Sequence, residues 1–198
     1  MRSRSGEPSI AARTSYRKPT MSTHEFSIVA SGLDPTAEDF EAQFYEKGCD
    51  DALVSFQRGH TIVDFAREAA SLDEAIASAL KSVAATGAQI DRVEPDPLVS
   101  LSDIAKRSKL TRAAITNYHR GYRAEGFPAP VARVTTGNPL WEWATVARWL
   151  LRKRKLTLAI ALDAETVREA NVAVAMGEVH IGARLRQHLE QYQKELCA

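Results

Sequence analysis

"LSDIAKRSKLTRAAITNYHRG", residues 101–121, decides how this chain is to be read. It holds two short helical patterns around a tight connection. Ser102 is the expected N-cap of the first, with Ile104 and Ala105 turned inward. Thr111 is the expected cap of the second, with Ile115 as its inward anchor and Gly121 near its end. Downstream, "FPAPVARVTTGNPLWEW" predicts two short strands around a turn at Thr136-Gly137-Asn138. "WEWATVARWLLRKRK" then predicts a helix that lays Trp143, Val146, Ala147, Leu150 and Leu151 on the two before it. The closely spaced Trp141, Trp143 and Trp149 read as core packing rather than as a stacking platform.

Working outward, residues 23–97 alternate between strand and helix signals. "HEFSIVASGL" is rich in apolar and β-branched residues and predicts a strand. In "DPTAEDFEAQFYEKG", Asp34 is the expected cap of a helix, Pro35 its first residue, Phe40 and Phe44 its inner face, and Gly48 its stop. "DALVSFQ" and "HTIVDFARE" have strand periodicity and join at Arg58-Gly59, a hairpin signal. "SLDEAIASALKSVAATG" predicts a second helix, with a capping box of Ser71 and Glu74 and a stripe of Ile76, Leu80 and Val83. "AQIDRVEP" supplies a fourth strand.

The order βαββαβ is that of the ferredoxin-like plait, which hosts many unrelated functions. A protein partner or a small ligand could use it, and dimerisation or docking is favoured because no polar cluster marks a pocket. The chain is therefore expected to be α+β: a plait at 23–97, a winged helix-turn-helix at 98–155 and a helical segment at 156–198. In that last segment Ile181, Leu185, Leu189, Tyr192 and Leu196 trace an apolar stripe. The stripe needs a covering surface, from its own chain or a second copy, and predicts a homodimer.

Charge separates these segments. The net charge is only +1. Residues 23–97 carry 5 basic against 15 acidic side chains, and residues 98–155 carry 12 against 3. A strongly basic module beside an acidic one points to a nucleic-acid partner for the basic one. Residues 1–22 are basic, Ser- and Pro-rich and without hydrophobic period, so they read as a disordered tail. Met21 is then a plausible true start.

Residues 98–151 resemble the excisionase/AlpA branch of the MerR-like winged helix-turn-helix proteins. The carriers of the resemblance are "LVSLSDIA", "TRAAI", "FPAP" and "LWEWATVARWL", in that order. The linker "GYRAEG" is longer than usual there, and "LWEW" opens the closing helix where many relatives carry Arg. The span 23–151 also resembles a set of bacterial proteins in which a domain with a "GCDDALV" motif, here Gly48 to Val54, precedes the winged helix. The resemblance implies binding of double-stranded DNA.

The residues point the same way. A recognition helix at about 111–121 would turn Arg112, Thr116, Asn117 and Arg120 to the bases of the major groove, leaving Tyr118 and His119 to pack. Lys106, Arg107, Lys109, Arg133 and the run Arg152, Lys153, Arg154, Lys155 would hold backbone phosphate. The turn at Thr135 to Asn138 would be a wing. The expected function is sequence-specific transcriptional regulation. The alternatives are a recombination directionality factor, or an antitoxin or adaptor acting through the acidic domain.

Enzyme chemistry finds no support in the sequence, and no catalytic residue, metal site or cofactor is expected. Cys49 has Asp50 and Asp51 beside it, which disfavour a thiolate. The histidines lie outside metal-ligand spacing, and neither a P-loop nor a dinucleotide fingerprint occurs. Cys49 and Cys197 do not make a disulfide framework. No apolar run suits a membrane span and no secretory signal is present, so a cytoplasmic location is expected.

Overall fold

The computed structural model describes residues 20–197, so nearly all of the expected tail lies outside it, and Ser22 already opens the first strand. Strand β1 (Ser22–Ser31), helix α1 (Phe40–Glu46), strands β2 (Ala52–Gln57) and β3 (His60–Ala69), helix α2 (Leu72–Ala84) and strand β4 (Gln89–Glu94) follow in turn. The four strands form one antiparallel sheet in the order β2-β3-β1-β4. Pairing of Phe26 with Phe65 and of Ile28 with Val63 puts alternate residues on one face, and the two rings stack at 5.3 Å. The two-residue hairpin turn falls where the sequence places it. Arg58 and Gly59 both have positive φ, the geometry that keeps the strands in their natural twist.

Two local expectations give way to other contacts. Helix α1 starts at Phe40 rather than Pro35, because Asp34 accepts bonds from the Thr36 amide and hydroxyl at 2.9 and 2.7 Å and closes a turn of its own. Ser71 does precede α2, yet its side chain makes no cap bond, and Glu74 instead receives Arg186 at 2.9 Å.

A second core forms from strand β5 (Leu98–Val99), helices α3 (Leu101–Ser108) and α4 (Arg112–His119), strand β6 (Trp141–Glu142) and helix α5 (Trp143–Arg152). β5 pairs with β6, and Ala132 bridges Leu140 beside them. β5 is too short to leave a periodic signal. The cap of α3 is Ser100, not Ser102: Ser100 and Asp103 bond each other's backbone in a reciprocal box. That leaves the Ser102 side chain outside the cap and exposed.

Helix α6 (Leu158–Ala175) joins the two cores. It begins well before the Asp163 from which its pattern is read, with Thr157 as its cap. Ala161 and Ala164 of its first half pack in the second core, and Val167, Ala170 and Ala173 of its second half pack in the first. Asn171 also clamps the outer edge of β4. Its amide accepts from the Val93 N–H and donates to the Val93 carbonyl, both at 2.9 Å.

Helix α7 (Gly182–Cys197) folds back on α2 and α6. Ile181 and Leu185 are buried in the first core, and Gly182 lies so near α2 that a Cβ there would meet the Ala77 methyl at 3.4 Å. Tyr192 is buried and accepts a bond from Arg148 of α5. The terminal stripe is thus covered largely by its own chain. Glu165 is buried beside Arg168 and His188. Burial opposes its charge, and the bonds from those two partners outweigh it, holding the carboxyl below its ordinary range.

Because α6 completes both cores and α7 packs on it, damage to one core should unfold the other. Leu185→Ala should cost about 2–5 kcal/mol. All three tryptophans sit in or against the second core, away from Leu185. A guanidinium titration followed by tryptophan fluorescence should nevertheless shift as far as one followed by far-ultraviolet circular dichroism. An unmoved fluorescence transition would mean the two cores melt separately.

Candidate nucleic-acid interface

The connection between α3 and α4 is tight because Lys109 takes a left-handed conformation and the Leu110 amide returns to the Ala105 carbonyl at 3.1 Å. Thr111 then caps α4 by accepting from the Ala114 amide at 3.1 Å. Ile104, Ala105, Ile115 and Tyr118 pack with Val146, Ala147 and Leu150 of α5. This fixes the outward side of α4. Arg112 and Arg120 are exposed, whereas Thr116 and Asn117 are half-buried.

Arg112 is not a loose surface charge. Its Nε donates to Ser102 Oγ at 3.1 Å and its Nη1 donates to Thr116 Oγ1 at 2.8 Å. The Thr116 hydroxyl in turn donates to the Arg112 carbonyl at 2.9 Å. The guanidinium is therefore held across the exposed sides of two helices. Reading Ser102 as a cap hides this role, and the separation of the two residues carries no helical period that would disclose it.

The residues expected at phosphate divide. Lys106, Lys109 and Arg133 are exposed. Arg107 departs from the expectation: it is half-buried, donates to the Asp96 carbonyl at 2.8 Å and lies 5.7 Å from the Trp143 ring centre. Burial pulls its pKa down. It ties α3 to the linker after β4, which withdraws it from an outer surface. Arg152, Lys153, Arg154 and Lys155 are exposed at the end of α5, with Lys153 over Trp149 at 5.5 Å. Among the described residues no hydrogen bond or ion pair joins this run to α4.

The segment 131–140 is a short hairpin. The Val131 amide and the Leu140 carbonyl bond at 2.8 Å, and Arg133 at positive φ starts its turn. Thr136 locks that turn by donating from its amide and hydroxyl to the Arg133 carbonyl at 3.0 and 2.9 Å. Residues 133–138 are all exposed. Beneath α4, Trp141 donates from its indole to the Pro128 carbonyl at 3.0 Å, and the His119 ring meets the Trp141 ring edge-on at 5.1 Å. Tyr118 and the tryptophans thus pack, as the sequence suggests, while His119 touches Trp141 and Phe127 edge-on but stays exposed.

Cys49 is buried, and its thiol is pushed up to about 11, chiefly by burial, with Arg67 lowering it and Asp51 and Asp50 raising it. The neighbouring aspartates, prominent in the sequence, come after burial. Arg67, a buried charge among apolar neighbours, is held by Asp51 at 2.7 Å and by the Gly48 carbonyl at 2.6 Å. Among the described residues no group of three or more His, Cys, Asp or Glu side chains is placed to hold a metal ion. No helix among them is long and apolar enough to cross a membrane. The sequence also gives no sign of a shallow cavity of about 570 Å³ on the sheet face away from the helices, lined by Glu25, Ser27, Asp64 and Glu94.

No family model, curated protein or solved structure matches the chain.

A thiol with a pKa near 11 is almost wholly protonated at mildly alkaline pH. In native protein at pH ~8, below even a free thiol's range, iodoacetamide should leave the Cys49 peptide unlabelled. In guanidinium it should label that peptide fully. Peptide mapping by mass spectrometry checks this, and rapid native labelling would contradict the burial.

Proposed function

We propose that the chain binds duplex DNA sequence-specifically as a transcriptional regulator. In this reading residues 98–155 are a winged helix-turn-helix with α4 in the major groove and the 131–140 hairpin as the wing. Residues 23–97 are a ferredoxin-like plait, and α6 and α7 brace the two. The supporting observation is the placement of Arg112. It stands at the exposed first turn of a helix anchored from below by Ile115 and Tyr118, and it is pre-oriented by Ser102 and Thr116. A guanidinium held in this way loses little side-chain entropy on meeting a guanine edge. The exposed charges of Lys106, Lys109, Arg133 and the Arg152–Lys155 run supply phosphate attraction around it. Arg107 has no such part.

A mobility-shift titration tests the reading, comparing the gene's upstream DNA with a scrambled duplex at two salt concentrations. Wild type should prefer the upstream duplex. Arg112→Ala should lose about 1–3 kcal/mol of that preference while keeping most of its non-specific binding. Lys106→Ala should weaken both duplexes alike and reduce the salt slope by about 1. Arg107→Ala should leave the slope unchanged and lower the unfolding midpoint. Equal, salt-labile binding to both duplexes by wild type would leave only charge attraction and reject the reading.

A further inference from the structure

The two edges of the main sheet are finished differently. β4 has its outer edge occupied by Asn171 and is backed by α6. β2, at the other edge, has no neighbour beyond it among the described residues. The two-residue turn makes Gln57 and His60 a hydrogen-bonded pair, so Gln57, Ser55 and Leu53 bond inward to β3. The bond from the Ala66 amide to the Asp51 carbonyl continues that series. Val54 and Phe56 consequently turn their N–H and C=O groups outward, and Ala52 its C=O, while the Ala52 N–H donates to the Cys49 carbonyl. Natural edges are usually blunted by charge, proline or a bulge. This one instead carries Leu53 and Phe56, exposed by 69% and 45%.

We infer that this edge pairs antiparallel with the same edge of a second copy, around a two-fold axis at Val54. Side chains that face each other across a ladder point to the same side of the sheet, so a two-fold axis normal to the sheet must pass midway between two copies of one residue. At Val54 it sets Val54 against Val54 and Ala52 against Phe56 of the second copy. Val54 then exchanges both N–H···O bonds with Val54 of the second copy, and the Phe56 N–H of each chain meets the Ala52 carbonyl of the other, the Ala52 N–H being already bonded to the Cys49 carbonyl at 3.2 Å.

Two further features select the same register. Phe56 projects to the helix side of the sheet, and Phe56 of the second copy, standing across from Ala52, meets a cavity of about 290 Å³ lined by Tyr45, Ala42, Ala52 and Val54. Tyr45, 69% exposed, would close over that ring. Asp50 and Arg58 lie at opposite ends of β2, and both are exposed. Neither enters an ion pair among the described residues. Antiparallel pairing at Val54 places each Asp50 opposite Arg58 of the other copy, once at either end. A heterologous strand would not be expected to match both the aromatic pocket and the charge pair.

Sedimentation of the full chain without DNA tests this, and its outcome is independent of DNA recognition. Wild type should pass from the mass of one 21.8 kDa chain to twice that mass across the micromolar range. Phe56→Ala, a change at an exposed site, should raise the dissociation constant about tenfold or more with the circular dichroism unchanged. Asp50→Arg should weaken the dimer, and Asp50→Arg combined with Arg58→Asp should restore it. If Phe56→Ala failed to fold, the charge exchange alone would decide. A wild-type monomer throughout, or a dimer indifferent to both sets of changes, overturns the inference.

Discussion

Everything in this molecule hangs on α6. A single helix supplies side chains to two cores, and its small residues let the neighbouring elements approach closely: Ala161 and Ala164 toward α5, Ala170 and Ala173 toward the sheet. A larger residue at any of these positions would overpack the junction. Buried charge reinforces the same place. Glu165 and Glu169 are tied by Arg168, His188 and Arg184, so removing one partner would leave a buried carboxylate with part of its compensation gone. Asn171 adds a specific lock, since its side-chain amide offers the acceptor and the donor that the Val93 N–H and C=O need.

The basic unit inherits its rigidity from that junction. Arg107 joins α3 to the carbonyl of Asp96 in the linker, and the Trp143 amide bonds the Pro97 carbonyl at 2.8 Å, so the linker acts as a seam rather than a hinge. The orientation of α4 relative to the sheet is set by packed side chains on both sides of this seam.

What the sequence disclosed was what local chemistry controls. The Arg58-Gly59 turn, the Phe40/Phe44 pair and the Thr111 cap all depend on residues within a few positions of each other. What it concealed depends on distant partners. Glu74 has the spacing of a capping box, but Arg186 takes it from across the fold. Ser102 looks like a cap because Ser100, two residues earlier, is equally suitable and carries the better-placed Asp103. The start of α6 was hidden because "LAIAL" is apolar on every side and so shows no stripe. Arg107 and Lys106 are adjacent and alike on paper, and only the positions of Trp143 and the Asp96 carbonyl distinguish the half-buried one from the solvated one. The terminal stripe was legible as apolar, but the pattern did not say that its own α2 and α6 would cover it.

The opposite charges of the two halves acquire a physical meaning once α6 has fixed them in place. A body with an acidic half and a basic half, and a net charge of only +1, has almost no monopole and a substantial electric dipole. At a distance a charged polymer hardly attracts such a molecule; it turns it. The torque acts within roughly 8 Å at physiological ionic strength. Approach would therefore be diffusive and alignment electrostatic, with salt weakening the alignment before it touched the encounter rate.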